Sequence, residues 1–201
     1  MAFDRRHMLK MLAAAPFAAW AGTASAANER TALLLPDEPY PVNFDAASKI
    51  DPRYRRRLVP FNSSEPAGTI VIDTGQKFLY QVRENNTALR YGIGVGRDGF
   101  GWKGETTVRR KARWPTWVPP KEMREREPNL PVSMEGGPEN PLGARALYLY
   151  EGGRDTLYRI HGTTQPWTIG KNVSSGCIRL LNQDVIDLFN RVPVGTKVIV
   201  R

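Results

Sequence analysis

The chain has 201 residues, of which 41% are hydrophobic, so it is long enough for one domain with a buried core and too apolar for global disorder. Its formal net charge of +9 favours anionic partners such as lipid head groups, nucleic acid or the carboxylates of peptidoglycan stem peptides. No heptad, RNA-binding or zinc-finger pattern accompanies this charge, and we therefore expect no nucleic-acid partner.

Residues 1–26 have the three-part pattern of an export signal. A basic start (4–10) is followed by an apolar run (11–21) and by the small-residue cleavage site Ala24-Ser25-Ala26. The apolar run is well short of the ~20 residues that cross a bilayer, so we expect no transmembrane helix in the mature form. The pair Arg5-Arg6 favours a twin-arginine signal and a periplasmic location, with an ordinary Sec signal as the alternative. Removal of the signal leaves a formal charge of +7.

Residues 27–66 form a second region, which contains six prolines and little hydrophobic periodicity. This composition predicts an extended N-terminal arm. The run Arg53-Tyr54-Arg55-Arg56-Arg57 is strongly basic, and we interpret it as a solvated part of the arm. A nucleic-acid or wall-anchoring role for this run is the alternative.

Residues 67–201 alternate short β-branched segments with turns, which predicts a mainly β domain. The predicted strands cover 69–73, 77–82, 88–94, 106–111, 146–150, 156–160 and 197–200. One helix is predicted from about 183 to 191, with Asn182 as its N-cap and with Val185, Ile186, Leu188 and Phe189 on one face. The proline-rich segment between Pro115 and Pro138 is long enough to be a functional loop.

The segment Gly94-Val95-Gly96-Arg97-Asp98-Gly99 fits the G-x-G-x-x-G pattern of dinucleotide sites. Such a site needs glycines that open a helix, whose N-terminus holds the pyrophosphate. The residues that follow, 100–104, do not have a helical pattern. We therefore interpret the segment as a glycine-rich loop and expect no cofactor.

Cys177 is the only cysteine of the chain, and His161 is the only histidine outside the predicted signal. These two residues supply only two of the three or four ligands of a zinc site, so we expect no metal. The chain has neither a C-x-x-C redox motif nor a G-x-S-x-G nucleophile elbow. Elimination thus favours cysteine nucleophilic catalysis with His161 as the base, while a buried, inert cysteine remains the alternative.

His161-Gly162-Thr163 together with Ser174-Ser175-Gly176-Cys177-Ile178-Arg179-Leu180 resembles the signature of the YkuD-type L,D-transpeptidases, the ErfK/YbiS/YcfS/YnhG group. The resemblance extends over about 67–201 and includes 68–73, 91–96 and 140–144. It implies a β-sandwich-like catalytic domain with one short helix after the cysteine. Many members of the family carry a histidine where this chain has Ser175, so His161 would be the sole base.

The resemblance implies a peptidoglycan L,D-transpeptidase, which is a cysteine-dependent acyltransferase. Cys177 would form a thioester with the diamino acid at stem-peptide position 3, release D-Ala and pass the acyl group to an amine. His161 would act as general acid and base, and the carbonyl of Gly162 would orient its ring. The backbone N–H groups of Gly176 and Cys177 would stabilise the oxyanion.

Substrate-binding roles are expected for Arg179, Ser175, Ser174 and Thr163. A guanidinium suits a substrate carboxylate, although a structural salt bridge from Arg179 to Asp184 is an equal alternative. Three tryptophans and the segment 134–137 are expected to frame the cleft, with core packing as the competing role. These tryptophans are Trp102, Trp114 and Trp117.

The expected partners are stem peptides of the meso-diaminopimelate type, with another stem peptide, a lipoprotein or an outer-membrane protein as the acceptor. Such an enzyme would serve cell-wall biogenesis and cell shape and would be a carbapenem target. Two alternatives stay open on the sequence. One is an L,D-carboxypeptidase or hydrolase that uses the same residues, and the other is a non-catalytic wall-binding module.

Overall fold

A computed structural model describes residues 38–42, 44–97 and 101–201, and of Glu122 only the backbone. The predicted export signal and the first part of the predicted arm lie outside the described residues. Within the described part of the chain, no helix is both long and apolar enough to cross a membrane.

Short strands dominate the described residues, as the sequence predicts. The strands are β1 Arg57–Pro60, β2 Ile70–Asp73, β3 Phe78–Arg83, β4 Thr87–Gly92, β5 Val95–Gly96, β6 Gly104–Arg113, β7 Arg145–Glu151, β8 Arg154–His161, β9 Asn172–Ser174, β10 Ile178–Arg179 and β11 Lys197–Val200. The α-helices are α1 Lys121–Arg126 and α2 Asn182–Arg191, and 3-10 turns cover Phe44–Lys49, Pro52–Tyr54 and Pro166–Thr168. The mainly β prediction is confirmed.

Nine strands form one sheet in the order β1-β4-β3-β2-β11-β6-β7-β8-β10, and β5 pairs separately with β9. Buried side chains from both halves of this sheet pack in one cluster, among them Ile72 and Tyr91 from one half and Leu147 and Ile160 from the other. The sheet therefore folds over on itself, which gives the sandwich-like core that the sequence predicts.

Helix α2 follows β10 and packs through its apolar face. Val185, Ile186 and Leu188 are fully buried, as the helical periodicity predicts. The start of the helix differs from the prediction, because Leu181 is the N-cap residue and provides no side-chain cap. Asn182 instead accepts a hydrogen bond from the N–H of Ala144 at 3.0 Å through its Oδ1 atom. Helix α1 lies in the proline-rich segment and was not predicted.

The described part of the predicted arm packs on the domain through Tyr54. The Tyr54 side chain is 6% exposed and packs with Ile169 and Leu181. Gly92 and Gly170 leave space for it, since a Cβ atom on either glycine would come within 2.3 Å of Tyr54 atoms. Strand β1 then adds to the edge of the sheet beside β4. These residues are thus part of the fold and not only an extended arm.

Arg56 shows why the solvated interpretation of the arginine run is wrong for this residue. Its Nη1 atom lies 2.9 Å from Oδ2 of Asp187, and its Nε atom lies 4.0 Å from Oδ1 of Asp184. Tyr91 also donates to Asp187, at 2.7 Å, and Arg191 donates to it at 3.0 Å. Burial raises the pKa of Asp184 to about 7, although the Arg56 charge acts to lower it. Arg56 thus supplies positive charge to two buried carboxyl groups of α2.

We expect the substitution Arg56→Met to lower the free energy of unfolding by about 2–3 kcal/mol, because it removes the partner of a buried carboxylate. The neighbouring Arg57 is exposed, so Arg57→Met is a matched control that should change stability by less than about 0.5 kcal/mol. Urea unfolding of the three proteins measures the difference. Equal stability of the two variants would contradict the prediction.

Candidate active site

His161 and Cys177 belong to neighbouring segments of the sheet. His161 is the last residue of β8, and Cys177 immediately precedes β10. The two strands pair in parallel, with Ile178 beside Ile160 and Arg179 beside His161. Ile160 and Ile178 point into the core. Because side chains alternate along a strand, His161 and Cys177 share the opposite face.

On that face the two residues are diagonal neighbours. Continuing the register places Cys177 beside Arg159, two residues before His161. The offset along the strands is therefore roughly 6.6 Å, two residue rises. In the described structure the thiol and the imidazole make no direct hydrogen bond; each is held by backbone groups of its surroundings.

The His161 imidazole is buried, with only 5% of the residue exposed. Its Nδ1 atom lies 2.6 Å from the carbonyl oxygen of Gly162, and the backbone of Leu142 lies close enough to the ring to influence its pKa. Burial, with a contribution from the Arg179 charge, lowers the pKa of His161 to about 4, although both backbone contacts act to raise it. The imidazole is thus neutral at pH 7, and a neutral ring can accept a proton.

Gly162 lies where a side chain has no room. A Cβ atom at this position would come 2.1 Å from Oδ1 of Asn182 and 3.1 Å from the N–H nitrogen of Ala144. Gly143, at φ +64°, meets the same Asn182 atom at the same distance. Asn182 therefore packs against Gly162 and at the same time hydrogen-bonds Ala144, next to the start of β7. Sequence reasoning assigned Asn182 to a helix cap and missed this contact.

The Cys177 thiol is half-buried and lies 3.9 Å from the carbonyl oxygen of Leu157. Burial raises its pKa above the usual value, so the neutral thiol is the resting form. The backbone N–H of Arg159 and the charges of Arg159 and Arg179 act in the other direction. These two guanidiniums favour negative charge at the sulfur. Arg159 was not predicted as a site residue.

Leu157 owes its position near the thiol to an irregularity in β8. The pairing of β8 with β7 shifts register in this region, and Leu157 has φ +62°, a left-handed conformation that is uncommon for a residue other than glycine. Asp155 supports the irregularity, because its carboxylate accepts the Leu157 N–H at 2.9 Å and two hydrogen bonds from Arg159 at 2.7 and 2.8 Å. Nothing in the local sequence signals this conformation.

Ser174 and Gly176 form the turn that presents Cys177. Ser174 is 3% exposed, and its hydroxyl donates to the Cys177 carbonyl at 2.6 Å and accepts the Gly176 N–H at 3.2 Å. Ser174 therefore braces the turn internally. The Gly176 N–H, which we expected to face an oxyanion, has an internal partner. For the N–H of Cys177 no hydrogen bond is found within the described residues.

Arg179 does not pair with Asp184, so the salt-bridge alternative is wrong; the ion-pair partner of Asp184 is Arg56. Arg179 donates to Oε1 of Gln165 at 3.3 Å, and its buried Nε atom has no hydrogen-bond partner in the described structure. Its charge acts on both Cys177 and His161. Arg179 is thus placed beside both reactive groups.

The remaining predicted binding residues differ in exposure. Thr163 is 6% exposed, and its hydroxyl accepts the N–H of Gln165 at 3.0 Å, so it braces the loop after His161. Ser175 is half-buried, next to the turn. The structure therefore brings Ser175 and Arg179 to an accessible position near the thiol and gives Ser174 and Thr163 internal partners.

Trp102 borders two cavities. One, of about 450 Å³, borders Gly176 and has Lys77, Arg97 and Lys103 as its charged lining residues within the described chain. The other, of about 660 Å³, is lined by Tyr158, whose ring stacks on Trp102 with centroids 5.1 Å apart. Trp102 and Lys103 line both cavities.

The other two tryptophans have different places. Trp114 is 9% exposed and packs with Ala144 and Ile186, so the core-packing alternative is correct for it. Trp117 is half-buried, and its backbone pairs with Met134 by two hydrogen bonds of 2.8 Å. This pairing ties the predicted cleft segment 134–137 to the start of the proline-rich loop.

The first glycines of the G-x-G-x-x-G segment lie in extended backbone. Gly94 exchanges two hydrogen bonds with Arg179, at 2.8 and 2.9 Å, and Val95–Gly96 forms β5. They do not open a helix, which a dinucleotide site requires. Asp98 and Gly99 lie outside the described residues.

The parallel β8–β10 ladder carries a histidine and a cysteine on one face of a mainly β domain. Residues 67–200 match the family model YkuD, described as the L,D-transpeptidase catalytic domain. The chain belongs to this family.

Similar proteins include two from Escherichia coli K12. "Probable L,D-transpeptidase ErfK/SrfK" is 41% identical over 139 residues, which are 65% of this chain and 43% of that protein. "Probable L,D-transpeptidase YbiS" is 40% identical over 140 residues, with the same shares. The match thus spans less than half the length of these relatives.

A solved structure from Brucella melitensis is also similar, at 50% identity and a TM-score of 0.52. The match covers 77% of this chain and 98% of that one. That protein is named "Probable carnitine operon oxidoreductase caia". This name indicates an oxidoreductase, whereas the names of the relatives above indicate transpeptidases. The likeness therefore supports the fold of this chain, while the activity in that name applies to the Brucella protein.

The buried imidazole predicts a pH dependence of stability. His161 titrates near 6.5 when unfolded and at about 4 when folded, so the unfolded state binds an extra proton between these pH values. The free energy of unfolding should therefore rise with pH across this window, by up to about 3 kcal/mol. In His161→Gln this contribution should be missing, and urea unfolding at pH 4.5 and 7 measures it. An identical pH dependence in both proteins would contradict the prediction.

Proposed function

We propose that this protein is a periplasmic peptidoglycan L,D-transpeptidase that uses Cys177 as nucleophile and His161 as general acid and base. The observation that carries the proposal is the placement of a neutral, buried imidazole and a cysteine thiol on one face of β8 and β10. Family membership over residues 67–200 supports the reaction class. The substrate is a stem peptide with a diamino acid at position 3.

The first half-reaction acylates the enzyme. The Cys177 sulfur attacks the carbonyl carbon at position 3, and His161 receives the thiol proton. The C–S bond forms as the amide C–N bond to the terminal D-Ala breaks, and the imidazolium returns the proton to the leaving amine. A modest movement of the two side chains must close the diagonal offset between them.

The second half-reaction transfers the acyl group. An acceptor amine attacks the thioester, and His161 takes a proton from this amine. The C–S bond breaks as the new amide bond forms, and the imidazolium returns the proton to the leaving thiolate. The acceptor is a second stem peptide, or the amine of an outer-membrane protein or lipoprotein. With water in place of the amine, the same residues give the hydrolase that the sequence leaves open.

The surrounding charges act on both reactive groups. Arg159 and Arg179 favour negative charge at the sulfur, which burial and the Asp155 charge disfavour, and they also act against protonation of His161. The N–H of Cys177, which has no internal partner in the described structure, is the oxyanion donor, and the N–H of Gly176 can join only by giving up Ser174. The Gly162 carbonyl fixes the ring orientation of His161.

The basic cavity beside Gly176 suits an anionic donor. Its charged lining residues in the described chain are Lys77, Arg97 and Lys103. Stem peptides carry carboxylates, and opposite charges within a cleft raise the local concentration of a ligand. The export pattern of residues 1–26 supports the periplasmic location, where such peptides occur.

Incubation of the purified protein with a disaccharide tetrapeptide tests the proposal. Cys177→Ala should abolish product formation, and His161→Ala should lower the rate at least ~100-fold, typical of the loss of a positioned base. A dimeric muropeptide indicates transfer, and a tripeptide alone indicates hydrolysis. If the wild type forms neither product, the proposal is wrong.

Mass spectrometry after addition of a carbapenem gives an independent readout of the thiol. The wild type should gain one acyl adduct, and Cys177→Ala is the matched control because the chain has no other cysteine. An inert thiol in the folded wild type would instead favour a non-catalytic wall-binding module.

We expect Lys103→Gln to lower kcat/KM for the anionic donor about two- to fivefold, since an exposed ion pair contributes up to about 1 kcal/mol. Added salt should shrink this difference, because the lysine is exposed. Arg83→Gln removes the same charge from an exposed position at the end of β3, outside the cavity, and should leave kcat/KM unchanged. Equal losses in the two variants would argue against a role for the cavity.

A further inference from the structure

Arg145 has a fully buried guanidinium, and its counter-ion comes from the N-terminal segment. The residue is 1% exposed and lies at the start of β7. Its Nη1 atom donates to Oε2 of Glu38 at 3.0 Å, and its Nη2 atom donates to Oε1 of the same carboxylate. Glu38 lies outside residues 67–200, so a residue beyond the family domain balances the charge of an arginine that is buried within this domain.

The same carboxylate binds residues at both ends of the proline-rich loop. We define the loop neck as Arg113, Trp114, Ala144 and Arg145. Trp114 donates from Nε1 to Oε2 of Glu38 at 2.8 Å, and Arg113 lies 3.5 Å from Oε1. The N–H of Trp114 donates to the carbonyl of Ala144 at 2.8 Å, and Arg145 donates to that carbonyl at 2.7 Å. Glu38 therefore joins the two ends of the loop.

The loop neck reaches the imidazole through the backbone. The carbonyl of Arg145 accepts the Gly162 N–H at 3.1 Å, and Ala146 is the β7 partner of His161. The backbone of Leu142, two residues before the neck, lies close enough to the ring to influence its pKa. The segment that Glu38 anchors thus contacts both His161 and the residue that follows it.

We propose that Glu38 is a positioning residue, which through Arg145 and Trp114 holds the loop neck against His161 and keeps the imidazole oriented and shielded from water. The importance of this role for catalysis rests on the proposed function. The effect of Glu38 on the position of the His161 ring does not depend on that function. A carboxylate suits the position because only an anion compensates a buried guanidinium while accepting a third hydrogen bond from an indole.

Direct electrostatics from Glu38 does not explain such an effect. Arg179 from β10 and Arg159 from β8 are the charged groups with the largest effect on the pKa of the imidazole, and the ion partners of Glu38 are Arg145 and Arg113. Removal of the negative charge of Glu38 would by itself lower the His161 pKa, which is opposite to the rise that we expect. A change at Glu38 therefore reaches His161 through the position of the loop neck.

Nuclear magnetic resonance titration of the His161 ring in the full chain tests the proposal, and it needs no enzymatic activity. His161→Gln identifies the resonance, because His7 is the only other histidine. In Glu38→Gln we expect water to reach the ring and the pKa to rise from about 4 to roughly 5 or higher. Glu65→Gln removes a carboxylate that pairs with Lys197 on the surface, and it should leave the titration unchanged.

A second variant guards against loss of folding in Glu38→Gln, which leaves Arg145 without its counter-ion. Trp114→Phe removes one hydrogen bond of Glu38 and keeps both charges, and the His161 pKa should rise in the same direction by a smaller amount. Near-ultraviolet circular dichroism establishes that each measured variant is folded. A wild-type titration in every folded variant would overturn the positioning role, whereas absence of transfer by the wild type would overturn the proposed function alone.

Discussion

The candidate site depends on one short parallel ladder, the pairing of β8 with β10. This ladder brings together two segments whose reactive side chains are sixteen residues apart in the sequence, and it is only two residues long. Two features support it. Ile160 and Ile178 anchor its inner face in the core, and Gly94 binds the far edge of β10 through two hydrogen bonds to Arg179. The glycine segment that imitates a dinucleotide motif therefore serves as a strand that fixes the cysteine segment.

The electrostatics of the site favour uncharged His161 and Cys177 side chains in the resting state. Burial drives His161 and Cys177 towards their neutral forms, so the charge pair is disfavoured at rest. Two guanidiniums, of Arg159 and Arg179, lie where negative charge would develop at the sulfur. In the proposed mechanism their benefit at the sulfur is realised only as negative charge forms there, while the same cations disfavour protonation of His161.

The sequence predicted the features that depend on local patterns. Alternation located the main strands, helical periodicity located α2, and the motif around Cys177 indicated the candidate site. Features that depend on distant contacts were missed. Glu38 and Arg145 are 107 residues apart in sequence, and no local signal shows that they meet. The arginine run looked solvated because its composition is charged, yet Arg56 is paired with carboxylates of a helix more than a hundred residues away.

The shielding of the Cys177 thiol bears on its chemical lifetime. Peroxides and disulfides react with the thiolate, and a raised pKa keeps the population of this form small at neutral pH. In an oxidising compartment, a lone sulfur held as the neutral thiol is slow to form sulfenic acid or a mixed disulfide. The burial that raises the pKa of Cys177 thus slows oxidation of the sulfur, which the proposed function requires to stay reduced.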